Sequence, residues 1–584
     1  MTVKSFEVSD PVLSSLKGFA LANPSITLVP EEKVLFRETS DDKIAIISGG
    51  GTGHEPSHAG FIGKGMLSGA VCGDIFASPS TKQILNAIRL VNAKSSGVLL
   101  LVKNYTGDVL HFGLSAERAR ALGINCHVVV IGDDVAVGRA KGGMVGRRAL
   151  AGTVLVHKIT GAFAEAHSTK YGLEGTAKAA QIIIDSLVTI GSSLNHCKVP
   201  GRKFETTLQG NQMEVGMGIH NEPGVQTLEP IPPTEELISK YMLPKLLDST
   251  DKDRAFVDFN KDDEVVLLVN NLGGVSNFII SAIAEKTTGF LKEQYNITPK
   301  KIMTGTLMTA FNGNGFSITL LNATKASKEL NTSFPEIKSV FELLEAYTDA
   351  PGWSPGFFEA SSAPSVDASV LHTDVKVTEV GNYDHSSFSK WMKAGAENII
   401  KAEPHITELD TLVGDGDCGY TLVSGVNGIT KNLDTISKTS LSEAMAQLSD
   451  IIEGSMGGTS GGLYSILISG LSHGIIQTCK NKDESVTKDS LAKSFEIALE
   501  TLYKYTRARV GSSTLIDALE PFVVEFSNSK DFKKAVTAAE VGAKSTATFE
   551  AQFGRASYVS DSSSVEDPGA VGFVEFLKGV ESVL

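Results

Sequence analysis

The chain has 584 residues, 42% of them hydrophobic and 21% charged, a balance that excludes wholesale disorder and leaves room for roughly three or four domain-sized units. Its formal charge of -14, with no Lys/Arg run, excludes nucleic acid as a partner and requires that any bound polyphosphate be neutralised locally, by a metal ion or by focused backbone N–H groups. The scattered Cys72, Cys126, Cys197, Cys418 and Cys479 exclude a disulfide framework or zinc knuckle, and no apolar run reaches the roughly 18 residues of a membrane span, so a cytoplasmic protein without a secretory leader is expected.

The first half alternates short apolar runs with amphipathic segments, the pattern of α/β layers. Residues 44–47, 97–102, 127–131 and 265–269 read as fully buried strands, and residues 81–92 and 115–122 as helices beside them. A β-rich interruption at residues 209–218 and a new start at Glu264 predict two α/β subdomains within residues 1–350, divided near residues 190–250.

The first strand runs into Ser48-Gly49-Gly50-Gly51-Thr52-Gly53-His54-Glu55-Pro56. A glycine-rich turn at a strand's carboxyl end is where open α/β sheets place ligands. It is not a dinucleotide turn, because His54 stands where GxGxxG needs glycine, and no GxxxxGK[ST] phosphate loop occurs in the chain. His54-Glu55-Pro56-Ser57-His58 also spells HExxH, the zinc-peptidase signature. Pro56 pushes Glu55 out of the α region, against the single helical face that two zinc-binding histidines need.

Lys103-Asn104-Tyr105-Thr106-Gly107-Asp108 ends the 97–102 run and converges on the same sheet edge if the two strands are neighbours. Asp108 then suits a general base for a hydroxyl, and Lys103 suits an oxygen or a transferred phosphoryl group. His220, in the string GMGIHNEPG, reads either as a hydrogen-bonded structural histidine or as a nucleophile. In the second reading its neutral nitrogen adds to a carbonyl carbon and tethers a ketone or aldehyde as a hemiaminal, which discriminates against glycerol.

Residues 351–385, with Pro351, Trp353, Pro355 and Pro364 followed by Ser/Asp/Val-rich sequence, read as a linker. From 386 to 584 the pattern is helical: residues 388–400, 441–453, 488–506 and 513–526 carry apolar residues at three- and four-residue spacing. Asp410, Asp415 and Asp417 fall within eight residues in LDTLVGDGDCG, a hard-oxygen set suited to Mg²⁺, with an Asp-Gly helix cap as the alternative. An EF-hand is excluded, because Gly419 and Val426 stand where its ligands belong.

Two further loops complete a candidate nucleotide site with Gly416, Asp417, Cys418 and Gly419. One carries Thr459 and Ser460 in GGTSGG, offering N–H groups and hydroxyls at a helix start. The other, residues 554–570, holds Arg555, serines 562–564, Asp567, Pro568 and Gly569, and reads as a lid or an ordinary surface loop. Gly458 to Gly462 also spells GxSxG, without the preceding strand that a serine-hydrolase elbow requires.

With GGGTGHEP, KNYTGD and GMGIHNEPG followed in order by LDTLVGDGDCG, GGTSGG, TLIDAL and DPGA, the chain closely resembles the single-chain, ATP-dependent dihydroxyacetone kinases, and in length and layout a fungal member. The resemblance covers nearly the whole chain. It implies an α/β substrate domain of two α/β subdomains, joined by a linker to an all-α helical-barrel nucleotide domain that binds ATP and Mg²⁺. It further implies that His220 forms the hemiaminal, that Asp108 activates the attacking hydroxyl with His54 as a hydrogen-bonding partner, and that Gly51, Thr52, Gly53, His54 and Lys103 hold the triose, dihydroxyacetone or D-glyceraldehyde. Asp410, Asp415 and Asp417 correspond to ligands of Mg²⁺ ions bridging the ATP phosphates, and the family suggests a homodimer.

Thr52 stands where many relatives carry serine and keeps the hydroxyl, whereas Ser513 replaces a frequent basic residue and is not assigned. Rival readings are a kinase fed by a phosphoprotein with bound ADP, a lyase that cyclises a flavin nucleotide, and a non-catalytic ligand sensor. Fusion of both domains in one chain counts against the first, and two intact half-sites against the last.

Overall fold

Buried aliphatic runs build two six-stranded sheets, both in the first of the two units, Met1–Pro364 and Ser365–Leu584, into which the chain divides in this computed structural model. The structure describes residues 6, 8–40, 42–142, 145–200, 208–357, 376–550 and 564–584. Thr27–Val29 (β1), Val34–Phe36 (β2), Ile44–Thr52 (β3), Gly69–Ile75 (β4), Gly97–Lys103 (β5) and Cys126–Ile131 (β6) form the first sheet in the order β1-β2-β4-β3-β5-β6. From β4 to β6 the strands are parallel, and Gly49 of β3 pairs with Val102 of β5, so the carboxyl ends of β3 and β5 lie side by side.

The second sheet joins Leu187–Ser193 (β7), Met213–Val215 (β8), Gln226–Leu228 (β9), Val265–Asn271 (β10), Lys301–Gly305 (β11) and Gly315–Asn322 (β12) in the order β11-β10-β12-β7-β8-β9. Only the β10–β11 pair is parallel among its described pairings.

Helices Thr81–Asn92 (α1) and Thr106–Ala121 (α2) cover one face of the first sheet, where Ile84, Ile88, Phe112 and Ala116 meet Ile47, Val98 and Leu100. Gly152–Ile184 (α3) belongs to both sheets: Val154, Leu155, Ile159 and Ile183 share one core with Ile46 and Leu99 on one side and Val266, Leu268 and Leu321 on the other. Asn277–Tyr295 (α4) packs on the remaining face of the second sheet. Covering both faces is why the central strands β3, β5 and β10 read as unbroken apolar runs rather than alternating ones, whereas the edge strand β6, expected to be fully buried at 127–131, leaves Val130 exposed.

The second sheet begins at Leu187, ahead of the 190–250 interval in which the sequence places the division. The long helical segment α3, kinked at Gly172 with φ +63°, carries the chain from one sheet to the other, and the β-rich stretch at 209–218 contributes β8 to a sheet already begun. Residues 351–357, expected to open a linker, are packed into the first unit. Trp353 and Phe357 are buried with ring centroids 5.1 Å apart, edge to face, and Gly352 N–H donates to Gly60 O at 2.6 Å. At the far end Val380 is buried in the second unit and its N–H donates to Ser442 Oγ at 3.0 Å. The remainder of the expected linker, residues 358–375 with Pro364, lies outside the described residues.

The second unit is helical: His385–Val413 (α5), Cys418–Asn432 (α6), Leu441–Ser455 (α7), Gly458–Thr478 (α8), Lys488–Tyr503 (α9), Ile516–Ser529 (α10), Phe532–Ser545 (α11) and Pro568–Glu581 (α12). Each packs on the next and α12 packs on α5, so these helices close a barrel. Its apolar interior, with Phe388, Trp391, Leu519, Phe522 and Phe573, encloses a cavity of about 1180 Å³. Helix starts are fixed by side chains that satisfy the first free N–H groups: Ser440 accepts from Glu443 N–H, Thr487 from Ser490 N–H and Asp567 from Ala570 N–H.

Candidate active site

Because β3 and β5 are neighbours, the glycine turn and the Lys103–Asp108 segment converge on one sheet edge. Lys103 ends β5 and is fully buried, and Asp108 sits in the first turn of α2, where a carboxylate faces unpaired N–H groups. A Cβ placed on Gly50 would stand 3.2 Å from Asp108 Oδ2 and 3.5 Å from Lys103 Nζ, so both functional ends meet over that glycine. Ser78 Oγ donates to Asp108 Oδ1 at 2.5 Å. Lys103 Nζ has no hydrogen-bond partner among the described residues; burial lowers its pKa, and the carboxylates of Asp108, Glu222 and Glu55 oppose that shift. A buried ammonium without a partner is costly, and a ligand oxygen would relieve it.

The second sheet supplies the rest. Asn270, at the end of β10, accepts from the N–H groups of Leu307 and Met308 at 3.0 Å each and donates to Met308 O at 2.8 Å, which fixes the loop after β11. That loop is joined to the glycine turn: Thr309 N–H donates to His54 O at 3.2 Å, Phe311 N–H to Gly53 O at 2.6 Å, and Ser57 Oγ to Leu307 O at 2.8 Å. His54, fully buried, has Nδ1 2.7 Å from Thr309 O and Nε2 2.9 Å from His220 Nε2. Burial first, then the charges of Lys103 and His220, hold the His54 pKa well below the usual histidine range.

His220 lies in the turn after β8, closed by Gly218 N–H donating to Glu222 O at 3.0 Å. Glu222 accepts from His220 N–H at 2.8 Å and from Nδ1 at 2.9 Å. Burial alone would raise the Glu222 carboxyl, but hydrogen bonds from His220 and its charge hold it at about 2. The rings of Phe76 and Tyr105 stand edge to face with His220 at 5.2 and 4.6 Å, and Phe76 stacks on His54 at 5.1 Å.

Residues 54–58 form turns, not a helix, which removes the zinc-peptidase reading of HExxH. His54 faces Thr309 and His220, whereas His58 Nδ1 lies 3.0 Å from His157 Nε2 and 3.3 Å from Ser48 Oγ. Thr52 is buried and its hydroxyl donates to Gly73 O at 3.3 Å. Gly51 packs against the backbone of Phe76 and Ala77, and the Gly53 N–H donates to the Glu55 carboxylate at 3.0 and 3.2 Å, so that amide is already engaged.

Gly53 adopts φ +97°, and a Cβ there would come 2.7 Å from the Phe76 ring. Gly53→Ala should therefore cost about 1–2 kcal/mol of stability and displace Phe76 from both histidines. A lowered denaturation midpoint of the first unit together with a raised KM checks this.

In the second unit Asp410, Asp415 and Asp417 offer oxygens that all lie within 4.8 Å of one another, an all-carboxylate set that fits Mg²⁺. Asp410 is buried and its Oδ2 accepts from Asp417 N–H at 2.8 Å and Cys418 N–H at 3.0 Å, which folds the loop over it; Gly416 turns that loop with φ +76°. Burial, then Asp410, Asp567, Asp417 and Asp415, push the Cys418 thiol up to about 12. Gly419 is required by packing, since a Cβ there would stand 2.3 Å from Thr407 Oγ1. Thr459 and Ser460 lie in the first turn of α8, which follows a helix, so the GxSxG string has no elbow.

Asp567 caps α12, whose first two residues are Pro568 and Gly569; burial, reinforced by Asp517 and Asp410, raises Asp567 to about 7. Residues 554–563 of that loop, with Arg555, Ser562 and Ser563, lie outside the described residues. Ser513 Oγ donates to Thr546 O at 3.2 Å, a structural contact.

Sequence reasoning missed Glu222, Thr309, Phe76 and Ser78. Glu222, two residues after His220, carried a usable signal; the others become relevant only through contacts between distant segments.

Residues 17–339 match the model of the Dak1 domain and residues 412–582 that of the DAK2 domain. The chain is 77% identical over 584 residues to dihydroxyacetone kinase 1 of Saccharomyces cerevisiae, covering 100% of both chains. It is 35% identical to the triokinase/FMN cyclase of Homo sapiens, covering 98% of this chain and 97% of that one. Among solved structures, the dihydroxyacetone kinase from C. freundii in complex with AMP-PNP and Mg²⁺ superposes with a TM-score of 0.63 at 28% identity, covering 99% of this chain and 100% of that one.

Proposed function

This chain belongs to the single-chain dihydroxyacetone kinases, and from that premise we propose that it moves the γ-phosphoryl group of ATP to dihydroxyacetone, and to D-glyceraldehyde, with the substrate carbonyl held covalently on His220. The observation that carries the reading is the convergence of two histidines, Asp108 and Lys103 on one glycine turn. His220 Nε2 adds to the carbonyl carbon and fixes the triose. Asp108 takes the proton of the hydroxyl that attacks phosphorus, and Lys103 faces the charge that develops on oxygen.

Asp410, Asp415 and Asp417 would hold Mg²⁺, which when bound sets positive charge against the phosphate oxygens. Fixing the triose at one carbon also removes most of its rotational freedom before transfer, a large part of what a kinase contributes. Five unpaired cysteines support a reducing, cytoplasmic setting, and the family likeness supports a homodimer, which sedimentation of the full chain tests.

Dihydroxyacetone labelled with ¹³C at the carbonyl decides the covalent step. On the full chain its resonance should move from the trigonal to the tetrahedral region, and His220→Ala should abolish the move together with the preference for dihydroxyacetone over glycerol. Full activity and unchanged selectivity in His220→Ala would sink the reading. A coupled assay with ATP and Mg²⁺, run on dihydroxyacetone and on a flavin nucleotide, separates kinase from cyclising lyase, the second activity in the human relative's name.

A further inference from the structure

The hydrogen bonds around the histidine pair determine where its protons are. Thr309 O is a carbonyl and can only accept, so His54 Nδ1 carries hydrogen; the Glu222 carboxylate likewise requires hydrogen on His220 Nδ1. With both Nδ1 atoms acting as donors, the two Nε2 atoms facing each other at 2.9 Å would present two lone pairs unless one further proton lies between them. We propose that Glu222 is a positioning residue for carbonyl capture: it holds His220 as an imidazolium whose extra proton, shared with His54, is delivered to the triose oxygen as the carbon–nitrogen bond forms. This rests on the hemiaminal reading above and adds to it the source of the proton.

The step balances. The His220 Nε2 proton moves to His54 Nε2, and the lone pair so released bonds to the carbonyl carbon. The π pair of the C=O bond goes to oxygen, which takes the proton from His54. His54 returns to neutral, and the substituted His220 ring remains a cation with Nδ1–H donated to Glu222. The charge beside Glu222 is the same before and after, so capture neither takes up nor releases a proton. Depression of the Glu222 carboxyl to about 2, by hydrogen bonds from His220, and of His54 below the histidine range, by burial first, agree with an ionised Glu222 and with His54 as the weaker base of the pair. The other ionisable groups around the pair are Lys103, Asp108, Glu55 and His58 at the first-sheet edge, Tyr105 ahead of α2, and Arg148, which is paired with Asp134 at 2.7 Å.

Glu222→Gln keeps the shape but reverses the demand on the ring. The amide oxygen can accept from His220 N–H while its NH₂ donates to Nδ1, which leaves His220 neutral with hydrogen on Nε2 and the lone pair on the wrong nitrogen. A neutralised orienting carboxylate that traps the wrong histidine tautomer is a known way to disable a catalytic pair.

Calorimetry of dihydroxyacetone binding to the full chain, in two buffers of different ionisation heat at one pH, counts protons without any variant. The result expected is none, and uptake of one proton overturns the proposal. The ¹³C-carbonyl experiment on Glu222→Gln should show the tetrahedral species reduced about 10–100-fold, the range of a charged hydrogen bond, with partial rescue in Glu222→Asp. If the wild-type chain gives no tetrahedral resonance, the hemiaminal reading falls. If it does and Glu222→Gln matches it, only the role of Glu222 falls.

Discussion

Asp108→Asn should lower kcat for dihydroxyacetone by about 10²–10⁴, the usual contribution of a general base, with a KM change of no more than about fivefold. Asparagine is nearly isosteric, its amide oxygen can still accept from Ser78 Oγ, and the first turn of α2 is undisturbed. Only the ability to take a proton is removed. Asp108 is also the first of the carboxylates that oppose the burial shift of Lys103, so the lysine should lose its proton at a lower pH in the variant. The activity that remains should accordingly fall off earlier on the alkaline side. Carbonyl capture, measured by the ¹³C resonance, should survive, because it uses different groups. A kcat within twofold of wild type would remove Asp108 from the mechanism.

The double substitution Asp415→Ala, Asp417→Ala should weaken binding of ATP in the presence of Mg²⁺ on the order of 10³-fold, since metal charge stabilisation contributes several kcal/mol and each decade corresponds to about 1.4 kcal/mol. Both carboxylates are exposed, so stability should change by no more than about 0.5 kcal/mol. Asp410 is unsuitable for this test, because its carboxylate accepts the two N–H groups that shape the loop and its removal would unfold the site along with the metal position. Titration calorimetry of ATP with and without Mg²⁺ reads the effect. Equal affinity with and without the substitutions would refute the metal assignment, whatever happens to turnover.

How much of this was legible in the sequence depended on how locally each feature is encoded. The strands at 44–47, 97–102 and 265–269 are buried on both faces and read as unbroken apolar runs, whereas 127–131, read as fully buried, is the edge strand β6, with Val130 exposed and His127 and Val128 only partly buried. The predicted helix at 81–92 coincides with α1, because Ser80 and Gln83 form its capping box. The three aspartates are visible because they fall within eight residues, from the last turn of α5 to the start of α6. The division between sheets was placed late, since nothing in α3 states that its two ends serve different sheets. Trp353 and Phe357 read as linker because neighbouring prolines suggest one, whereas the two aromatic rings enter a core.

The candidate site of the first unit was half legible. Each of His54, Lys103, Asp108 and His220 stood out in its own string, but the partners that give them a role did not. Thr309 contributes a backbone oxygen, which has no sequence signature, and Asn270 acts by holding that oxygen in place. Ser78 reaches Asp108 from another loop. Pairings of this kind belong to the fold and not to a motif.

The placing of α3 between the two sheets has a consequence for biosynthesis. His54 meets residues 166 and 255 positions further along the chain, so the histidine pair is an assembly of high contact order, closed only after the loop following β11 has docked. A nascent chain long enough to contain the glycine turn, Lys103 and Asp108 has no imidazole pair, and a chain that stops before Thr309 has nothing to orient His54. Reactivity toward carbonyl compounds should therefore emerge late in synthesis and abruptly, after the first sheet has formed.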